Sequence, residues 1–364
     1  MFHRQTVFFV ACALPLLFAP QLAPNMAREL DFWVMWLVAM ALIGLPILFA
    51  EFALSVRSAQ MPWQGMQKLT READSSVAWR IFAGLSVVLC VMIAASITSR
   101  VAVGLATYMP ELHQALAVPT FGMSVALMVV VLILSLLKSR LLPIALLLIL
   151  AGSLIALFDG GLTSGVSVPV MTDMTLGEWG RAVLLALLSV GVGTGLYWFG
   201  SVGITAQLGQ LNKSMSGMIV PIWLTQLIFG ALALLAGSAM ITPISFAVAG
   251  AGMLGVAAFL LFYAGSQLMS RFGVMIGGTV LLVLGVIFGL LPSGVLTILL
   301  SVLGVVTVLV LAVFVGFVMK ISHLRKALNF GNETRYNIWR ILVRIVVPIA
   351  LVMAMIGLVA EWLA

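Results

Sequence analysis

Apolar residues run through this chain in long unbroken stretches separated by short polar joints. A helix that crosses a bilayer needs about 20 such residues. Eleven stretches meet that length, at roughly 5–24, 32–55, 77–107, 118–137, 140–158, 179–200, 216–241, 248–270, 272–291, 294–320 and 337–362. The ninth and tenth are joined only by "LPSG". The first begins with a basic residue and ends in small ones, as a signal peptide does. Its candidate cleavage sites, Ala19 and Ala23, are each followed by proline, and Pro15 interrupts the run. It therefore reads as a retained span. The longest joints are a polar segment at 56–76 and a Gly/Ser/Thr-rich segment at 159–178, which leaves five spans before it and six after.

Composition removes the water-soluble alternatives. Of 364 residues, 63% are hydrophobic and 8% charged, against about 25% charged in a soluble domain. The expectation is one all-α polytopic transmembrane domain over 1–364, embedded in the lipid bilayer. The net charge of +7 is distributed topologically. With the N-terminus in the cytoplasm, fifteen of the eighteen Lys and Arg fall inside, and only Arg28, Arg100 and Arg181 fall outside or near the outer ends. Glu29, Asp31, Glu111, Asp159, Asp173, Glu178 and Glu361 face out. This is the positive-inside pattern of a multi-pass plasma-membrane protein, and it assigns the basic residues no nucleic-acid role. Cys12 and Cys90 sit in apolar stretches and the three His are scattered, so neither a disulfide framework nor a metal site is expected. No nucleophile–base pair or phosphate loop appears, which argues against an enzyme.

Against that background Glu51, inside "GLPILFAEFALSVRS", needs an explanation. A charge at a bilayer centre costs about 2.5–3.5 kcal/mol on insertion scales. Transporters often contain inverted repeats with one interrupted helix in each. Pro15, Pro20 and Pro24 mark such an interruption in span one. "SVGVGTG", with Ser189, Gly191, Gly193, Thr194 and Gly195, marks another in span six, five spans later. Unwound backbone leaves N–H donors that must be satisfied in lipid, and a carboxylate accepts them. Glu51 is thus expected to accept hydrogen bonds from backbone N–H groups of the interrupted sixth span, near Gly193 to Gly195. The alternative is a side chain near the span end reaching cytoplasmic water beside Arg57.

These residues resemble the neurotransmitter:sodium symporter family, with its leucine-transporter-like fold. "GLPILFAEFALS" is similar to that family's second helix and "EWGRAVLLALLSVGVGTGLYWFGS" to its sixth. "FLLFYAGS" (Phe259 to Ser266) is similar to the start of its eighth, and "HLRKALNFGNETRYNIWRILVRIVVPIAL" to its tenth-to-eleventh connection. The resemblance follows the chain in order, short of the family's last helix, and suggests a divergent bacterial-type member of the inner membrane. It implies two inverted repeats of five helices, at about 5–158 and 179–320. Helices one and six would be broken, and 337–362 would be an extra helix. It also implies a substrate and ion site near Leu14, Pro15, Ala94, Ser189, Gly191, Gly193, Thr225, Ala264 and Gln267.

The departures from the family are specific. "ALPLLFAPQLAP" lacks the Asn, Gly and gate Arg of helix one. Ala94 stands where a Tyr hydroxyl is usual. Gln267 and Leu268 replace a Thr/Ser pair, and Ala264 keeps only a backbone carbonyl. The Asn ligand of helix seven falls near Leu224 or Thr225, with Gln226 next to it. Most side-chain oxygens for sodium are therefore missing. Gln267 is expected to fill the place of the lost cation by bridging carbonyls of a broken span one. Arg100 reads either as snorkelling to outer headgroups or as an outer-vestibule cation replacing the gate Arg.

Two function classes follow. One is a secondary transporter of a small organic solute, an amino acid or amine, with no cofactor and with sodium or a proton as candidate coupling ion. The other is a non-transporting subunit that keeps the fold, has lost the site, and works with a membrane-protein partner.

Overall fold

A computed structural model describes residues 2–23, 29–161, 170–191, 193–210, 214–236 and 240–363. Pro24, Arg28, Lys213 and much of the 159–178 joint lie outside the described residues. Among those described, the regular structure is helical apart from one isolated backbone pairing, Glu29 with Val170.

Among the described residues, eight helical stretches are long and apolar enough to cross a membrane, by length and composition. They are Gln5–Leu22, Leu30–Ser58, Val77–Tyr108, Thr120–Asp159, Ser216–Leu235, Pro243–Gly289, Ser293–Val318 and Glu333–Leu363. The sequence pattern gave eleven. The difference arises where spans are joined or cut by single residues. Thr120–Asp159 has 40 residues and Pro243–Gly289 has 47, about 60 and 70 Å if straight, twice a bilayer core. Each contains one non-helical residue, Lys138 (φ 59°, ψ −137°) and Gly273 (φ 81°, ψ 168°). At Gly273 the chain doubles back, so that a Cβ on Gly277 would lie 2.7 Å from the Met269 amide nitrogen. The expected sixth span is cut into two helices, Leu176–Val190 and Leu196–Gln210.

The first span departs from expectation. It is one continuous helix, Phe2–Leu22, with Pro15 and Pro20 inside it. Each proline removes a single donor. In a membrane protein, neighbouring helices and local adjustment absorb that loss, and Pro15 is buried among other elements. The matched pair of interruptions is therefore reduced to one, in the sixth span.

The chain divides into two compact units, each drawn from both sides of the central joint. The first comprises 1–86, 168–234 and 302–364, the second 87–167 and 235–301. In the first unit, helix Leu30–Ser58 contains a π turn at Met40–Gly44 just before Pro46. A π turn loosens the backbone ladder and frees carbonyls. Two indoles take carbonyls here: Trp223 Nε1 donates to Met40 at 2.9 Å and Trp339 Nε1 to Pro46 at 2.8 Å. A short amphipathic helix, Pro62–Glu72, is tied back to the end of Leu30–Ser58 by Arg57 Nε–Glu72 at 2.8 Å. The final helix packs on Leu176–Val190 through small residues: Gly180 meets the Ala354 carbonyl and Leu358, and Gly357 meets the Leu176 carbonyl.

The second unit uses the same device. A Cβ on Gly252 would lie 2.6 Å from the Ala145 carbonyl, and one on Gly152 would lie 2.6 Å from Ala249 Cβ. Backbones approach this closely only where side chains are absent, and small residues supply van der Waals contact where lipid gives no hydrophobic drive.

Candidate functional site

The divided sixth span is the centre of the first unit's polar interior. Its first half starts at a capping box, in which the Thr175 hydroxyl accepts from the Glu178 N–H at 3.2 Å and the Glu178 carboxylate accepts from the Thr175 N–H at 3.0 Å. It ends at Gly191 in the left-handed region, φ 67°. Gly193 (φ 83°) and Gly195 (φ 65°) follow in the same region, which L side chains avoid. Three glycines in five residues thus fix where the helix stops. Thr194 closes the turn. Its hydroxyl donates to the Gly191 carbonyl and accepts from the Leu196 N–H at 3.3 Å.

The second half begins at Leu196. The first N–H groups of a helix have no intrahelical acceptor, and in this interior they have no water. The Glu51 carboxylate meets them. Its Oε1 accepts from the Trp198 N–H at 3.0 Å. Glu51 is 0% exposed, so it does not reach water beside Arg57. The donor belongs to the interrupted sixth span, three residues past Gly195, close to the Gly193–Gly195 stretch near which it was expected. Thr194 bridges the Gly191 carbonyl and the Leu196 N–H, and the amide that Glu51 takes lies in the first turn of the second half, where a carboxylate also complements the positive end of the helix dipole.

One turn along from Glu51, the Ser55 hydroxyl bonds those of Thr205 (2.9 Å) and Ser201 (3.2 Å). Trp198 is fixed at its ring as well: Nε1 donates to the Gln60 carbonyl at 2.7 Å, and the indole stacks on Phe82. Gly65 leaves room for that indole, since a Cβ there would run into it.

Gln226 joins the two halves. Its amide donates to the Val190 carbonyl, at the end of the first half, and to the Tyr197 hydroxyl, at the start of the second. It is 0% exposed. Thr225, the residue singled out from the sequence, is half-buried and its hydroxyl turns back to its own helix at the Pro221 carbonyl, 2.9 Å. The phase of the helix decides this, because one residue is about 100° of rotation. Two acceptors in this interior, Glu51 Oε2 and Gln226 Oε1, are buried with no partner among the described residues.

The remaining sequence-chosen residues divide between the units. Leu14 faces the break, and a Cβ on Gly191 would lie 2.6 Å from its Cδ1. The Ser189 hydroxyl is engaged with the Ala186 carbonyl (3.1 Å) and Met40 Sδ (3.4 Å). Gly193 lies against Thr307 and Val308. Ala94, Ala264 and Gln267 are buried and Arg100 is half-buried, all in the second unit, on Val77–Tyr108 and Pro243–Gly289. Gln267 was assigned to a broken first span, and that span is continuous. Trp198, Ser55 and Gln226 were not chosen from the sequence. The readable signals were Ser55 four residues after Glu51, and a Gln alone in an apolar stretch.

This geometry yields one sharp expectation. Gln226→Leu strips the Val190 carbonyl and Tyr197 hydroxyl of their donor, at about 1–3 kcal/mol for buried groups left unpaired. Thr225→Val removes only a hydroxyl bonded within its own helix. Thermal unfolding in detergent should show a clear drop for the first and a small change for the second. Equal drops would assign Gln226 no special place at the break.

No protein-family model and no curated protein matches the sequence. Among solved structures, the chain is similar to MhsT, solved in complex with L-phenylalanine, with a TM-score of 0.72, 17% identity and 98% of each chain covered. The shared fold is the leucine-transporter-like one to which the motifs pointed.

Proposed function

We propose that this multi-pass membrane protein is a secondary transporter of a small organic solute, an amino acid or an amine. The observation that carries the reading is the break between helices Leu176–Val190 and Leu196–Gln210, where Gly191, Gly193, Thr194 and Gly195 are buried, with two unclaimed acceptor oxygens beside it, Glu51 Oε2 and Gln226 Oε1. A packed structural helix has no need of such an interruption, whereas a polar solute needs backbone and side-chain groups that are not already paired within helices. The fold shared with MhsT supports the same reading.

Sodium coupling is not part of the proposal. A hard cation prefers several oxygen ligands, and the side chains at Ala94, Ala264 and Leu268 offer none. Glu51 is a buried group able to carry a proton. Thermal unfolding of the purified protein against a panel of amino acids and amines, in sodium and in potassium at fixed ionic strength, tests this. One solute class should raise the transition by mass action, equally in both salts. Stabilisation that requires sodium would overturn the sodium-independent part. Absence of stabilisation by any solute would count against the solute.

One contact favours a second reading, a subunit that keeps the fold without transport: the apolar Leu14 side chain fills the space directly beside Gly191. That reading requires a stable complex with another membrane protein, recoverable from native membranes.

A further inference from the structure

The first unit carries a groove separate from the divided helix. It has a volume of about 180 Å³ and lies between helices Leu30–Ser58 and Glu333–Leu363. Leu45, Phe49, Phe330, Ile338 and Leu342 line it, and Arg335 stands at it as the one charged group. Phe49 and Phe330 lie 5.1 Å apart between ring centres and form a tilted aromatic pair. Trp339 also borders the groove, but its N–H is already given to the Pro46 carbonyl. The lining therefore offers apolar surface and one cation.

That cation is exposed, and no ion pair or hydrogen bond involves it among the described residues. Its neighbour Arg325 differs, being paired with Glu333 at 3.0 Å. The groove sits at the end of the helix where Lys320, Arg325, Lys326, Arg335, Arg340 and Arg344 gather, the cytoplasmic side by the positive-inside rule. Ile338, Ile341 and Ile345 on the same helix are each 54% exposed, as lipid-facing residues are.

We infer that this groove binds one anionic phospholipid of the cytoplasmic leaflet, an acyl chain segment lying on Phe49, Phe330 and Ile338 and the headgroup phosphate on Arg335. The apolar walls suit a segment of one acyl chain. The charge suits the headgroup: a guanidinium binds phosphate through paired N–H donors. A zwitterionic lipid carries a fixed cation beside its phosphate, which repels the guanidinium and weakens that pairing, and a detergent without a phosphate would fill the apolar part and leave the guanidinium without a partner. An apolar peptide would do the same.

The experiment is native mass spectrometry of the full chain released from detergent after incubation with phosphatidylglycerol, phosphatidylcholine of the same chains, or inorganic phosphate. The wild type is expected to retain phosphatidylglycerol about five-fold more than phosphatidylcholine, the preference one basic residue gives near an anionic surface. Arg335→Ala is expected to bring that ratio to about one. Arg335 is exposed, so folding is not at stake. Ile338→Trp should fill the groove and reduce retention of both lipids. Arg271→Ala, an exposed basic residue elsewhere, should leave the ratio unchanged. Equal retention of the two lipids by the wild type would overturn the inference. So would a preference that survives Arg335→Ala, or full competition by inorganic phosphate, which would make this a phosphate site with no role for the chain.

Discussion

Glu51→Ala is expected to be among the most damaging single substitutions in this chain, and Glu51→Gln markedly milder. The carboxylate is fully buried and accepts from the Trp198 N–H at 3.0 Å, at the start of the second half of the divided span. Alanine leaves that amide without an acceptor where no water reaches. An unsatisfied buried donor costs about 1–3 kcal/mol. The loss of negative charge at a helix N-terminus adds to this, by up to about 2 kcal/mol in partly buried settings. Glutamine keeps an acceptor oxygen in the same place and loses only the charge. Thermal unfolding should therefore rank wild type above Glu51→Gln, and Glu51→Gln above Glu51→Ala. If Gln and Ala unfold together, hydrogen-bond acceptance is not what Glu51 contributes.

The second large effect is expected at Gly191, where two costs act together. The backbone is left-handed at φ 67°, and a Cβ would lie 2.6 Å from Leu14 Cδ1. A non-glycine residue in that conformation costs about 1–2 kcal/mol, and overpacking typically costs about 1–3 kcal/mol more. Gly191→Ala should thus destabilise strongly. Adding Leu14→Ala should recover the packing part and leave the backbone part. A double-mutant cycle separates the two, since residues in contact show non-additive effects. Gly84→Ala is the control. That glycine sits in a helix with nothing within 4 Å of its missing Cβ, so alanine should be neutral or slightly stabilising there. An additive cycle at 14 and 191 would mean that Leu14 does not press on the break.

The parts of this fold that were legible in the sequence follow from costs that lipid makes unavoidable. Long apolar stretches had to be helices, because nothing else satisfies their backbone in a bilayer. A carboxylate at position 51 had to find donors, and the glycines at 191, 193 and 195 were the nearest sign of a disrupted ladder. Which amides it would meet was not legible. That depends on where the helix resumes, and the Thr194 bridge, a tertiary detail of the turn, sets the restart at Leu196. The prolines of the first span misled for a related reason. A proline states that one donor is missing, but whether the helix opens there depends on its neighbours, and Phe2–Leu22 stays closed. The choice of Thr225 over Gln226 failed on helix phase, which a sequence read without a partner surface does not fix. Lys138 and Gly273 show the opposite case: both joints fell at or beside short gaps in the apolar pattern, because a reversal needs a residue that leaves the helical region.

The central claim is that the divided helix at 191–195, held by Glu51, is a working solute site. Uptake of labelled amino acids and amines into proteoliposomes, compared among wild type, Glu51→Gln and Glu51→Ala, tests it most directly. Wild-type protein should take up solute above protein-free vesicles, with no dependence on sodium over potassium. Glu51→Gln should show partial uptake and Glu51→Ala none, each reconstituted to the same protein level. No uptake of any solute by the wild type, or full uptake by Glu51→Ala, would contradict it.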